Sequence, residues 1–324
     1  MSTRTTQTDL LFSDDFRQGF PRSGEPGGWH LQPVGDLPQG DARTSVTEEG
    51  LLAVSAGTSP MTGLPAFGFT TAQQSQGGEG TRDHVKWTAM PESLSSHGFP
   101  GYDTPATGPV TLEATLSVAV HGTDRHPFGP AVSDLHADPR LGCGSLLAAD
   151  VESFSIFGFF ITSTRIYANY ERLRLPGTNY AAYTYAVPLA DRMPGGTEVL
   201  AVTVDAALGQ VDWTVNGEKR FTVGHAGRRL TDRSTMLLDH GGEEEDLHPR
   251  QIVPGLGMFS LLDGALGDDG TGLVRVDSEP DHYWDPRRGR PEPQRFLDPD
   301  GAPGNRLFGQ GVEMTVRQVR LVLG

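Results

Sequence analysis

The densest mixture of ionisable side chains in this sequence is Asp83-His84-Val85-Lys86. Read as a strand running into Trp87, it sets His84 and Lys86 on one face and Val85 and Trp87 on the other. A lysine beside a histidine in a desolvated cleft has a lowered pKa, and the two can serve as base and acid near neutral pH. On an open sheet face the same residues are an ordinary surface pair. A second constellation lies in Arg165–Arg172, RIYANYER. Here Tyr167, Asn169 and Glu171 share one face, while Ile166, Ala168 and Tyr170 suit a core. A phenol, an amide and a carboxylate in a row can hold an oxygenated ligand by stacking and hydrogen bonding, with Arg172 at the strand end. The third is the polar face of 110–120, with Thr111, Glu113, Thr115 and Ser117.

If the second and third strands lie in one concave sheet, Glu113 and Glu171 converge on a groove. The long segments 91–109, carrying Tyr102, and 121–150 would wall it. The candidate acid/base residues are therefore His84, Lys86, Glu113, Tyr167 and Glu171. The candidate ligand contacts are Trp87, Tyr102, Thr115, Asn169 and Arg172. The competing reading of each face is the wetted side that every half-buried strand has.

Other chemistries lack their patterns. His121, His126 and His136 alternate with Asp124, Asp134 and Asp138 in one stretch, but without the spacing of a zinc site, so no metal is expected. Asp14-Asp15 reads as a turn cap or a calcium ligand. Neither a phosphate loop nor a dinucleotide fingerprint occurs, so no cofactor is expected. Cys143, the one cysteine, stands in Gly142-Cys143-Gly144 with no pairing base and reads as structural. The run Glu243-Glu244-Glu245-Asp246 reads as a solvated acidic loop.

The elements that must position these groups are strands. The stretch 197–223 is the clearest: Val211, Trp213 and Val215 alternate with Asp212, Thr214 and Asn216. Asn216-Gly217 is a two-residue hairpin turn, both positions needing positive φ. Alternation turns Trp213 inward, so this stretch locks register rather than carrying chemistry. Residues 110–120 alternate cleanly, and 153–162, apolar on both faces, predicts a central strand covered on both sides. No long amphipathic helix and no fixed repeat are visible. About a dozen strands follow, in one domain over 10–324 behind a polar tail at 1–9.

Acids outnumber bases 41 to 26, a formal charge of -15. Such a surface repels phosphate backbones and anionic membranes, so neither nucleic acid nor membrane is an expected partner. The first residues show no cationic head followed by an apolar stretch, and a cytoplasmic location is expected.

Several short motifs together resemble the concanavalin A-like lectin/glucanase superfamily. They are Phe12-Ser13-Asp14-Asp15-Phe16 with Gly27-Gly28-Trp29; Glu49-Gly50-Leu51-Leu52; Thr111-Leu112-Glu113-Ala114; Asp205, Gly209, Trp213, Val215 and Gly217; and the closing 312–323 strand. The chain also resembles a bacterial family without an assigned function. The resemblance implies an all-β, two-sheet antiparallel β-sandwich or jelly roll with long loops. The glucanases of that superfamily carry an E-x-D-x-x-E or E-x-D-x-E strand, and this sequence has none. Two functions follow as expectations. One is a cofactor-independent cyclase, isomerase or lyase acting on a small oxygenated molecule in the groove, of the kind found in bacterial specialised metabolism. The other is a carbohydrate-binding or carbohydrate-cleaving protein, with Trp29, Trp87 or Trp284 as stacking platforms for a glycan.

Overall fold

The computed structural model describes residues 9–25, 27–266, 270–288 and 293–324. The expected tail at 1–9 lies outside them except for Asp9. Two large antiparallel sheets face each other, as the alternating strands require. The first runs, edge to edge, Glu218–Val223, Gln210–Val215, Thr197–Asp205, Val110–His121, Gly311–Leu323, Gly50–Ser55 and Ala42–Thr47. Leu10–Asp14 pairs with the far half of Gly311–Leu323. The second sheet runs Met236–Asp239, Tyr183–Asp191, Arg165–Arg172, Ser155–Ile161, Cys143–Asp150, Gln251–Phe259, Val85–Pro91 and Trp29–Leu31, with Tyr102–Asp103 beside Gln251–Phe259. Among the described residues the helices are single turns, and none is long and apolar enough to cross a membrane.

The 197–223 stretch folds as its pattern dictates. Asn216 and Gly217 have φ of 52° and 81°, and Val215 pairs with Glu218 across the two-residue turn. Trp213 is fully buried and its indole donates to the Gly158 carbonyl of the opposite sheet at 2.6 Å. Around it, Leu112, Leu116 and Val202 of the first sheet meet Phe157, Phe159, Tyr170 and Leu256 of the second.

Three expectations about elements change. The segment 121–150 is not one loop: Cys143–Asp150 is a buried central strand whose glycine, serine and alanines give it neither alternation nor a strong apolar run. Second, 83–87 is not one strand. Gly80–His84 forms a helical turn and the strand begins at Val85. Third, Val110–His121 and Arg165–Arg172 belong to different sheets. Alternation says which residues share a face but not which sheet carries the strand.

The outer face of the second sheet carries a second core. Cys143, Phe160, Tyr167, Ala186, Leu237 and Leu238 on its strands cluster with Leu261, Val276 and Tyr283. The Pro/Arg/Asp-rich stretch after Gly255–Leu262 therefore folds back over this face.

Candidate functional site

Beneath that covering segment lies a cluster of polar side chains contributed by six parts of the chain. His84 closes the turn that enters Val85–Pro91, and its Nε2 meets Asp263 Oδ1 at 2.6 Å. Tyr283 donates its hydroxyl to the other oxygen, Asp263 Oδ2, at 2.6 Å and accepts the Asp277 N–H at 3.1 Å. Asp263 is fully buried and both its oxygens are used. His282 stacks edge-on between Tyr283 and His240, with ring centroids 4.6 and 4.5 Å apart. On the sheet itself, Glu171 accepts from Thr184 at 2.7 Å and from the Asn169 amide at 3.4 Å.

Hydrogen-bond direction fixes the tautomers. Arg174 donates to His282 Nδ1 at 2.9 Å, and a guanidinium has no acceptor, so neutral His282 carries its proton on Nε2. That Nε2 is buried and has no partner. His240 Nδ1 lies 2.7 Å from the His282 carbonyl and must donate to it, which leaves its Nε2 with the lone pair. Asn169 Oδ1 is likewise buried without a partner.

The pKa values diverge across the cluster. Burial disfavours the charged form of His84, but the charge and hydrogen bond of Asp263, aided by Glu171 and Asp83, outweigh it and raise the pKa. For Asp263 burial pushes up, and His84 with Tyr283 pulls the carboxyl below its ordinary value. Burial raises Glu171 against the pull of Thr184 and His84. Burial also lowers His240, and burial together with the neighbouring His240 brings His282 down to about 2. Yet His84, Glu171 and His240 remain half-buried rather than sealed, with 13 % of the His84 side chain exposed. These groups are thus desolvated yet still present some surface.

A pH dependence of stability follows from His84. A histidine whose pKa is raised on folding contributes stability below its ordinary value of about 6.5, and that stability is lost as pH rises through the folded value. Urea midpoints of the wild type are expected to fall across that window, and those of His84→Gln to be flatter there. Parallel profiles would remove the pair as the cause.

The structure brings together four of the sequence candidates: His84, Tyr167, Asn169 and Glu171 all serve the outer face of the second sheet. Tyr167 is pinned, donating to the Ala137 carbonyl at 2.8 Å, and burial pushes its pKa up to about 12. The others separate. Lys86 does not join His84; a bulge intervenes, and its fully buried ammonium bonds Asp83 at 3.1 Å and the Phe69 carbonyl at 3.3 Å. Burial lowers its pKa, against the pull of Asp83 and Asp41. Arg306 lies 3.6 Å from the same Asp83, so these charges tie loops together.

Glu113 and Glu171 do not converge. Glu113 is on the outside of the first sheet, 3.7 Å from Arg320, and Thr115 shares that face. Trp87 is fully buried between the sheets. Arg172 bonds Glu245, lies 3.7 Å above the Tyr180 ring and is buried. Tyr102 packs beside Phe12 at the edge of the core, with ring centroids 5.9 Å apart. Asp14 caps the Phe16 N–H at 2.7 Å and accepts the Trp29 indole at 2.9 Å, which is the turn-cap reading. The acidic run is held by arginines, Arg228 on Asp246 and Arg172 on Glu245. Sequence reasoning missed Asp263, His240, His282 and Tyr283. The aromatic run His282-Tyr283-Trp284, inside a stretch of Pro, Arg and Asp, was the available signal.

Asp277, Glu279 and His282 bring one potential ligand atom each within 4.8 Å of one another. Arg174 already serves this group, 2.8 Å from Glu279 and 2.9 Å from His282, so a metal ion would have to displace a resident cation.

Among solved structures the chain is similar to an alginate lyase from Pseudomonas aeruginosa, at 12% identity over 87% of this chain and 86% of that one, with a TM-score of 0.36. It is also similar to the β-glucanase of Bacillus licheniformis, at 10% identity over 99% and 100%, with a TM-score of 0.41. Likeness at this level carries no argument about substrate. Among curated proteins it matches uncharacterized protein L829 of Acanthamoeba polyphaga mimivirus, 26% identical over 244 residues, or 58% of this chain and 55% of that protein. The chain thus spans about half the length of the curated relative it matches. A family model covers residues 13–323, and the chain belongs to that family, the family of unknown function DUF6081.

Proposed function

We propose that the protein cleaves a carbohydrate by proton transfer, binding a saccharide end at the polar cluster around Glu171. One observation carries this reading. A half-open carboxyl and two half-open histidines sit at depth beside two buried polar atoms without partners, the Asn169 acceptor and the His282 Nε2 donor. Unpaired polar atoms in a desolvated site are what a hydroxylated ligand satisfies.

The charge states assign roles. Neutral His240 presents a lone pair at Nε2 and can take a proton. Glu171, with its raised pKa, can give one to a departing oxygen. Two groups pushed in opposite directions are the usual mark of an acid and a base. Hydrolysis through two carboxyls fits less well, because it needs a second free carboxyl near the first, and both oxygens of Asp263 are engaged. Elimination needs only one group to take a proton from carbon and another to protonate the leaving oxygen. An open, ring-lined glycan cleft is also disfavoured. Trp29, Trp87 and Trp213 are fully buried, and Trp284 is half-buried in a backbone bridge to Asp239.

The test is incubation of the purified chain with a panel of polyuronates and neutral glucans. A new conjugated double bond in the ultraviolet, accompanying chain shortening, is the expected result. New reducing ends without the double bond would replace elimination by hydrolysis. No binding and no change of any carbohydrate would end the reading.

A further inference from the structure

A concavity lies beside the Asn216-Gly217 hairpin turn, away from the polar cluster. It has a volume of about 380 Å³ and is lined by Ile166, Ala190, Arg192, Glu198, Val215 and Arg220, among others. This size is at the lower end of small-molecule sites. Its walls are built by three elements that end together: the strand Tyr183–Asp191, the start of Thr197–Asp205 and the Asn216-Gly217 hairpin turn.

Its floor holds a buried ion pair. The Arg192 guanidinium is buried and committed. It donates to Glu198 Oε1 at 3.0 Å, to the carbonyls of Val118 at 2.8 Å and Thr162 at 2.7 Å, and to Gly196 O at 2.8 Å. Those bonds pin the ends of three strands. Glu198 is 95 % buried by its 5 % exposure, yet its second oxygen, Oε2, accepts from nothing. A buried carboxylate oxygen without a donor is costly to the fold. The rim charges are already paired, Arg165 with Asp191 and Arg220 with Glu218. The unmet valence of the pocket is therefore an acceptor oxygen, on a carboxylate whose charge Arg192 already counters. Ile166 and Val215 supply an apolar wall, and Met193 stands exposed at the mouth.

We propose that this pocket binds a small primary amine, its ammonium on Glu198 and its alkyl body along Ile166 and Val215. A charged donor satisfies a carboxylate better than a hydroxyl does, because charge-assisted hydrogen bonds are about twice as strong. Such binding would stabilise the place where three strands finish, independently of any chemistry in the polar cluster.

The experiment is a titration of the isotopically labelled full chain with n-butylamine and, separately, n-butanol, followed by amide chemical shifts. Butylammonium is expected to shift the amides around Ala190, Val215 and Asn216, at least about tenfold more tightly than butanol. Ala190→Phe, which places a ring in the pocket while leaving the Glu198 carboxylate in the sequence, is expected to abolish the response. Glu198→Gln is expected to remove the preference for the amine; if that variant fails to fold, Ala190→Phe decides alone. Absence of shifts at these amides overturns the proposal. So does equal binding of alcohol and amine, an unchanged response in Ala190→Phe, or an unchanged preference in folded Glu198→Gln.

Discussion

Replacing Asp263 by alanine is expected to cost about 3–5 kcal/mol of stability, the range for breaking a buried charge pair from one side. Asp263 is fully buried and holds His84 at 2.6 Å with one oxygen and Tyr283 at 2.6 Å with the other. Alanine strands both partners. His84 loses the counter-charge that raises its pKa, and a buried phenol loses its acceptor. Because Tyr283 belongs to the segment that covers the second sheet, the damage should spread into the Leu237, Leu261 and Val276 packing. Asp263→Asn is expected to cost less: an amide oxygen still accepts from Tyr283, and His84 can become neutral. Urea denaturation measures both. Near-identical midpoints for wild type and Asp263→Ala would mean that the covering segment is held by its apolar contacts alone.

Glu171→Gln is expected to separate activity from stability. If Glu171 gives the proton in the proposed cleavage, turnover should fall by about 10²–10⁴-fold, the usual scale for a general acid. Stability at neutral pH should hold or rise. Burial raises the Glu171 pKa, so its ionised form is the strained one in the fold. Stability falls as pH climbs from the ordinary carboxyl value of about 4.3 through the raised one. Glutamine removes that dependence and can still accept from Thr184. A folded Gln variant with undiminished turnover takes Glu171 out of the chemistry. A variant that loses turnover only by unfolding would make the residue structural.

Local pattern made the scaffold legible. The turn at Asn216-Gly217 and the inward Trp213 follow from φ preferences and period two, and the doubly covered strand Ser155–Ile161 follows from its continuous apolar run. The shared face of Tyr167, Asn169 and Glu171 follows from the same rule. What the rule cannot supply is the identity of the sheet. Glu113 and Glu171 obey the same alternation and end on opposite outsides of the sandwich. Nor does periodicity describe a loop that folds back onto a sheet. Asp263, His240, His282 and Tyr283 sit in irregular segments, and their partners, His84 and Arg174, are roughly a hundred or more residues away in sequence. The pairing of those side chains is a tertiary fact, produced by the covering segment finding an apolar strip on the sheet.

The strand Gly311–Leu323 pairs along its whole length with Val110–His121, and on its other side with Gly50–Ser55 and Leu10–Asp14. During synthesis it is the last strand described to leave the ribosome, while its three partners are among the earlier ones. Until it emerges, Val110–His121 has a bare edge, and Leu10–Asp14 has no partner at all. The first sheet therefore cannot close until this strand is made, and contacts spanning some three hundred residues must form late, which makes folding slow and leaves long edges open to other chains. The nascent protein should lean heavily on chaperones that mask strand edges, and a ribosome stalled before residue 311 should hold an aggregation-prone half-sandwich.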